Sequence, residues 1–151
     1  MKVIIKAIMI LSLVAVILPL TSCEETYGNC EPISWRIVSV SDDNAIKATV
    51  NKAVANVTCG PSGGVVLLKA SALNMVMYTE SIENLEMDEY GRGISYRNDW
   101  CEITRELAED GTVFRICFSE YKPEKDIEFH LDLSDYQGGF GYGDIYLRRI
   151  P

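Results

Sequence analysis

The sequence predicts an all-β domain, an antiparallel β-sandwich of about seven to nine short strands. Three observations carry that expectation. Apolar residues recur with a period of two along most of the chain. Turn residues interrupt them at short intervals. No stretch after the first apolar run shows a strong helical period. A small antiparallel barrel is the other way in which such strands close.

The elements follow in chain order. Ile33, Trp35 and Ile37 share one face of a first strand. Ser41-Asp42-Asp43-Asn44 turns the chain, and Ile46, Ala48 and Val50 alternate in the next strand. Val54 to Cys59 runs into the turn cluster Gly60-Pro61-Ser62-Gly63-Gly64. Val65 to Leu68 is apolar on both faces, as in a strand covered on both sides. Met75 to Tyr78 is a further short strand, and the acidic Ile82 to Tyr90 reads as a loop or one helical turn. Phe114, Ile116 and Phe118 point one way from their strand, Val113, Arg115 and Cys117 the other. A hairpin at Glu109-Asp110-Gly111 precedes them. With Gly111 in the left-handed position of a three-residue loop, Ala108 faces Thr112 and Cys101 faces Ser119. Ile127, Phe129, Leu131 and Leu133 alternate with Glu128, His130 and Asp132, which describes a half-buried strand. Asp144 to Ile150 closes the domain. Trp35 and Trp100 fall in strand patterns and are expected in the core.

The chain begins with a different kind of segment. Lys2 and Lys6 precede an apolar run from Ala7 to Leu18, the layout of a secretory signal. The run is shorter than the ~20 residues a membrane-spanning helix needs. It ends in Leu20-Thr21-Ser22-Cys23, which resembles a bacterial lipobox. That resemblance implies lipidation of Cys23 and cleavage after residue 22, against the alternative of an ordinary secretory signal with a chance cysteine. Acyl chains at about 0.8 kcal/mol per buried methylene make a stable anchor. Glu24 and Glu25 resemble the surface-export signal of Bacteroidota lipoproteins. The implied organisation is a signal peptide over residues 1–22, a lipidated tether over 23–32 and a β-domain over 33–151. The implied place is the outer membrane, lipid-anchored and surface-exposed.

Charge narrows the partners. The chain carries 22 acids against 14 bases, a formal net charge of −8. The leader holds two of the bases and no acid, so the remainder is more acidic still. No basic stripe is present to neutralise phosphates, which argues against nucleic acid. It argues equally against electrostatic docking on anionic lipid, and leaves the membrane contact to the lipid on Cys23. Export places Cys30, Cys59, Cys101 and Cys117 in an oxidising compartment, where disulfides are the default. Of the three connectivities, Cys101–Cys117 with Cys30–Cys59 is favoured. The Cys101–Cys117 diagonal is long unless a bulge shifts the register. No close cysteine pair and a single histidine give no zinc motif, no Ca-loop spacing appears, and no metal or other cofactor is expected.

Few residues suggest chemistry. His130 sits between Glu128 and Asp132 on the polar face of its strand, where a carboxylate could orient a base. No nucleophile motif accompanies it, GxSxG included, so a surface histidine is the plainer account. The acidic pairs follow from composition. The chain is therefore expected to bind and not to catalyse, a small hydrolase or protease inhibitor being the distant rival. The stretch DYQGGFGYGDIY, Asp135 to Tyr146, is the most suggestive. Tyr136, Phe140 and Tyr142 with Gln137, set among glycines, offer flat apolar rings and hydrogen-bonding groups to a polysaccharide. The competing account is a hairpin whose rings pack on the edge of the domain. Tyr90 to Tyr96 is a second, weaker loop of this kind.

Trp100, the Asp110-Gly111 turn, the Phe114-Ile116-Phe118 strand, the Ile127-to-Leu133 strand and the last strand together resemble the C-terminal half of BACON-type immunoglobulin-like domains. Those domains occur in Bacteroidota surface lipoproteins. The resemblance covers roughly residues 95–151 and implies an immunoglobulin-like sandwich. The four cysteines and the ending Arg148-Arg149-Ile150-Pro151 depart from it. The combined expectation is a lipid-anchored envelope accessory protein that binds a glycan, with a structural or adhesive module for an envelope protein as the alternative.

Overall fold

The computed structural model describes residues 31–79, 82–135 and 141–151. The leader, Cys23, Cys30, Tyr136, Gln137 and Phe140 lie outside the described residues. The expectations placed on them are neither met nor refuted by the fold, save the Cys30–Cys59 disulfide, which is overturned because Cys59 is a free thiol.

The period of two translates into strands. They are β1 (Glu31–Pro32), β2 (Trp35–Val40), β3 (Ile46–Asn51), β4 (Val54–Cys59), β5 (Gly64–Ala70) and β6 (Met75–Tyr78). A single 3₁₀ turn, Ile82–Asn84, leads into β7 (Leu85–Met87). The second half holds β8 (Gly93–Arg97), β9 (Cys101–Ala108), β10 (Gly111–Phe118), β11 (Ile127–Asp135) and β12 (Gly141–Arg149). The all-β expectation holds, and among the described residues no helix is long and apolar enough to cross a membrane.

The strands form one 12-stranded sheet in the order β2-β5-β10-β9-β8-β6-β11-β12-β4-β3, with β1 on β12 and β7 on β8. The two ends of this path, β2 and β3, are consecutive in the chain and pack against each other, so the sheet curls into a near-barrel. The strands exceed the seven to nine expected because the short β1 and β7 carry no alternation of their own and β8 falls in the Tyr90-to-Tyr96 stretch expected as a loop. Pairing is antiparallel except where β12 meets β1 and β4, which run parallel to it. The weakest link joins β6 to β8 through one bridge, Met77 to Gly93. A methyl group on Gly93 would lie 2.2 Å from the Met77 carbonyl oxygen, so only glycine permits this approach.

The inner face holds the core. Phe114, Ile116, Ile103, Leu68, Leu131, Ile145 and Met77 are fully enclosed. Both tryptophans are buried as expected, and Trp35 donates from Nε1 to the Ala53 carbonyl at 2.7 Å. Tyr96 is also core, 3% exposed and stacked on Phe129 at 4.3 Å, so the second aromatic loop loses half its rings.

The β9–β10 hairpin corrects the expected register. Ala108 pairs with Gly111, leaving a two-residue loop of Glu109 and Asp110, and Cys101 faces Phe118 and not Ser119. Gly111 has φ +153°, and a Cβ there would sit 2.2 Å from the Ala70 carbonyl oxygen. The shift by one residue decides the thiols. Cys101 shares the inner face with Phe118, while Cys117 pairs with Glu102 and points outward. Two cysteines on opposite faces of neighbouring strands cannot bridge. Cys59, Cys101 and Cys117 are free thiols, so the expected Cys101–Cys117 disulfide is not formed.

In the sequence Arg149 marks only the ending that departs from the BACON-type pattern. It occupies an inward position of β12 and is fully buried. Its guanidinium donates to the carbonyls of Tyr121 (3.1 and 2.8 Å), Ser119 (2.7 Å) and Pro61 (3.0 Å), and to the Cys59 Sγ at 3.0 Å. It also lies over the Phe118 ring. One side chain thus ties the β4–β5 turn and the chain after β10 to the last strand.

Candidate functional site

The outer faces of β4, β12 and β11 form the best-furnished surface. Alternation along β12 sends Tyr142, Asp144, Tyr146 and Arg148 outward and Gly141, Gly143, Ile145, Leu147 and Arg149 inward. Register then sets their neighbours. Tyr146 stands between Asn56 of β4 and His130 of β11, and Arg148 between Thr58 and Glu128. These residues line a groove of about 430 Å3, within the usual range for small-ligand sites.

Each functional side chain has a visible restraint. The His130 and Tyr146 rings are stacked, 4.2 Å between centroids and 5° between planes. They are a cross-strand pair, so the backbone itself brings the rings together. His130 Nε2 lies 2.8 Å from Asp144 Oδ1 and 3.4 Å from Asp132 Oδ1. Arg148 is held by Asp126, with Nε to Oδ2 at 2.9 Å, and approaches Glu128 at 3.9 Å. Tyr146 is 43% and Tyr142 45% exposed, large rings offered to solvent on one strand face.

Of the expected ligand residues, Tyr142 is the one described, and it lies on this face. The glycines around it act differently from the expectation. Gly141 and Gly143 belong to β12 and point inward, where a Cβ on Gly143 would come within 2.6 Å of Ile33 Cδ1. They make room for Ile33 and not for a mobile loop. Tyr90 is exposed at the turn before β8 with Arg92 over its ring at 4.9 Å.

The sequence reading missed Asn56, Thr58, Tyr146, Arg148 and Asp144 as neighbours of His130. Their signal was present in part, since both last strands alternate clearly. What was lacking was the β11–β12 register, which depends on a connection of uncertain length. It also lacked the parallel docking of β4, which joins strands far apart in the chain.

No family model matches the chain, and no curated protein matches it. Among solved structures, the chain is similar to a protein from Bacteroides thetaiotaomicron determined by NMR. The two are 8% identical with a TM-score of 0.48, over 80% of this chain and 87% of that one.

Proposed function

We propose that this chain is a lipid-anchored envelope protein that binds glycan on the outer face of β4, β12 and β11 and performs no catalysis. The observation that carries the reading is the exposed Tyr146 ring, held upright by its stack on His130 and bordered by Asn56, Thr58, Glu128 and Arg148. A flat ring beside amides, hydroxyls and charges suits a sugar, which has apolar CH faces and a polar rim. The stack fixes the ring before the ligand arrives, so less side-chain entropy is lost on binding. Tyr142 extends the same face by two residues.

The adhesive alternative draws less support. Pairing with a protein strand needs a long free edge, and the two ends of the sheet path pack against each other. The finer fold reading, an immunoglobulin-like sandwich, rests on the single Met77–Gly93 bridge. Parting the continuous sheet at that bridge would give leaves β2-β5-β10-β9-β8 and β6-β11-β12-β4-β3.

The membrane part of the reading rests on Leu20-Thr21-Ser22-Cys23. Native gels cast with plant and host polysaccharides test the binding part. Retardation of the full chain, lost in an Asn56→Ala, Tyr146→Ala variant of equal stability, supports it. Equal mobility of both forms in every gel overturns it.

A further inference from the structure

We infer that His130, Asp132 and Asp144 form a binding site for a divalent transition-metal ion, with zinc as the matching test ion. The inference shares the His130 ring with the sugar groove but rests on its Nε2 and two carboxylates outside the groove lining, and it holds whether or not that groove takes a glycan.

The first argument is spacing. The imidazole Nε2 and one oxygen of each carboxylate lie within 4.8 Å of one another. The two distances from Nε2 are 2.8 and 3.4 Å. Zinc bonds of ~2.0 Å set neighbouring tetrahedral ligands about 3.3 Å apart, so an ion fits with small side-chain adjustments.

The second argument is electrostatic. Asp132 and Asp144 are direct cross-strand partners, an arrangement of like charges that destabilises a sheet. Their other ladder neighbours are Tyr78 and Val54, which bring no positive charge. Arg148 on the same face is engaged by Asp126 and Glu128. Among the described residues the group bridging the acids is an imidazole, whose neutral form is a metal ligand. A dication offsets the repulsion and takes the imidazole in its neutral form.

The third argument is orientation. The stack on Tyr146 fixes the His130 ring, and Nε2 is the nitrogen turned to the acids. A fixed ring is what a metal site needs from the groups around its ligands. The donor set also selects the ion. One nitrogen and two oxygens suit zinc or its neighbours, whereas calcium and magnesium take oxygen sets. The side chains of His130, Asp132 and Asp144 are 38%, 65% and 25% exposed, so solvent reaches the remaining coordination position.

His130 is the single histidine in the chain, which gives a direct readout. The 15N-labelled full chain in detergent micelles is titrated with zinc chloride while the imidazole nitrogens are followed by NMR. Stoichiometric zinc is expected to shift Nε2 selectively, and calcium to leave it unmoved. An Asp132→Asn, Asp144→Asn double variant is expected to need at least ~10-fold more zinc for the same shift. An imidazole that stays unmoved at tenfold zinc excess overturns the site. So does a double variant with unchanged affinity at His130.

Discussion

The imidazole of His130 and the phenol of Tyr146 lie face to face, 4.2 Å apart and 5° from parallel, on the outer surface of a sheet. Exposed rings usually choose among several rotamers. Here each restricts the other, because β11 and β12 place them directly opposite. The same pairing aims Nε2 at Asp144 and leaves part of Tyr146 in solvent. One cross-strand pair therefore prepares both the groove and the acidic cluster beside it.

Arg149 should be among the most sensitive positions for stability. Its guanidinium satisfies three part-buried carbonyls and meets the Cys59 thiol. Arg149→Met retains much of the volume but removes the partner of those carbonyls, at a cost of about 1–3 kcal/mol. Arg149→Lys should recover only part, since one ammonium cannot reproduce the planar fork. Urea denaturation of the three proteins checks this. A loss below ~1 kcal/mol for Arg149→Met would contradict the role given to this side chain.

Gly93 should resist replacement although it lies in a strand, where alanine is ordinarily better tolerated. Gly93→Ala drives a methyl against the Met77 carbonyl at the one bridge between β6 and β8. A destabilisation of ~1–3 kcal/mol is expected, with faster amide exchange at β6 and β8 before the rest of the sheet. Uniform exchange protection would show that the bridge is not a weak seam.

Asp88 makes the turn before β8 sensitive to acid. Desolvation pushes its carboxyl up, but the hydrogen bonds it accepts from Arg92 and Tyr90, together with the Arg92 charge, outweigh this and hold it below the usual range. Oδ1 accepts from the Tyr90 amide at 2.9 Å and the Arg92 amide at 3.0 Å. A depressed folded value gives stability that is present above the unfolded carboxylate value and is lost as pH falls through the folded one. Amide signals of Tyr90 and Arg92 should therefore titrate together below pH ~4. In Asp88→Asn that titration should vanish. Persistence of the same transition in the variant would assign it to another carboxyl.

The thiols should be present but quiet. Burial pushes Cys101 up to about 12, against weaker lowering by Asn98 and the Arg149 charge. Burial likewise raises Cys59 and Cys117. Thiolates are the reactive form, so alkylation by iodoacetamide at pH 8 should be slow in the native protein. It should be fast at Cys59, Cys101 and Cys117 in denaturant without reductant. Peptide mapping reads both conditions. A reductant requirement at Cys101 and Cys117 would restore the disulfide that the register excludes.

Strand positions were legible because burial on one face writes a period of two into the sequence. Ile127 to Leu133 and Phe114 to Phe118 show it plainly, as does the core placement of Trp35 and Trp100. Register was less legible. A choice between two and three residues in the Glu109–Gly111 turn reverses the side of every residue opposite, and it sent Cys101 and Cys117 to the wrong relation. The glycines of Gly141 and Gly143 were misread for a related reason. Close packing under Ile33 and loop freedom select the same residue. The candidate surface was half visible. His130 with Asp132 and Tyr142 stood out locally. Asp144, Tyr146 and Asn56 joined them only through pairings between segments distant in sequence.

The central claim is that the outer face of β4, β12 and β11 binds sugar. Its most direct test is NMR mapping of the 15N-labelled chain in micelles during titration with oligosaccharides from host and plant polysaccharides. The account predicts saturable shifts centred on Asn56, Thr58, His130 and Tyr146, with the outer face of β9 and β10 unmoved, and their loss in Tyr146→Ala. Shifts centred on another face, or no saturable shift with any member of the panel, would contradict it.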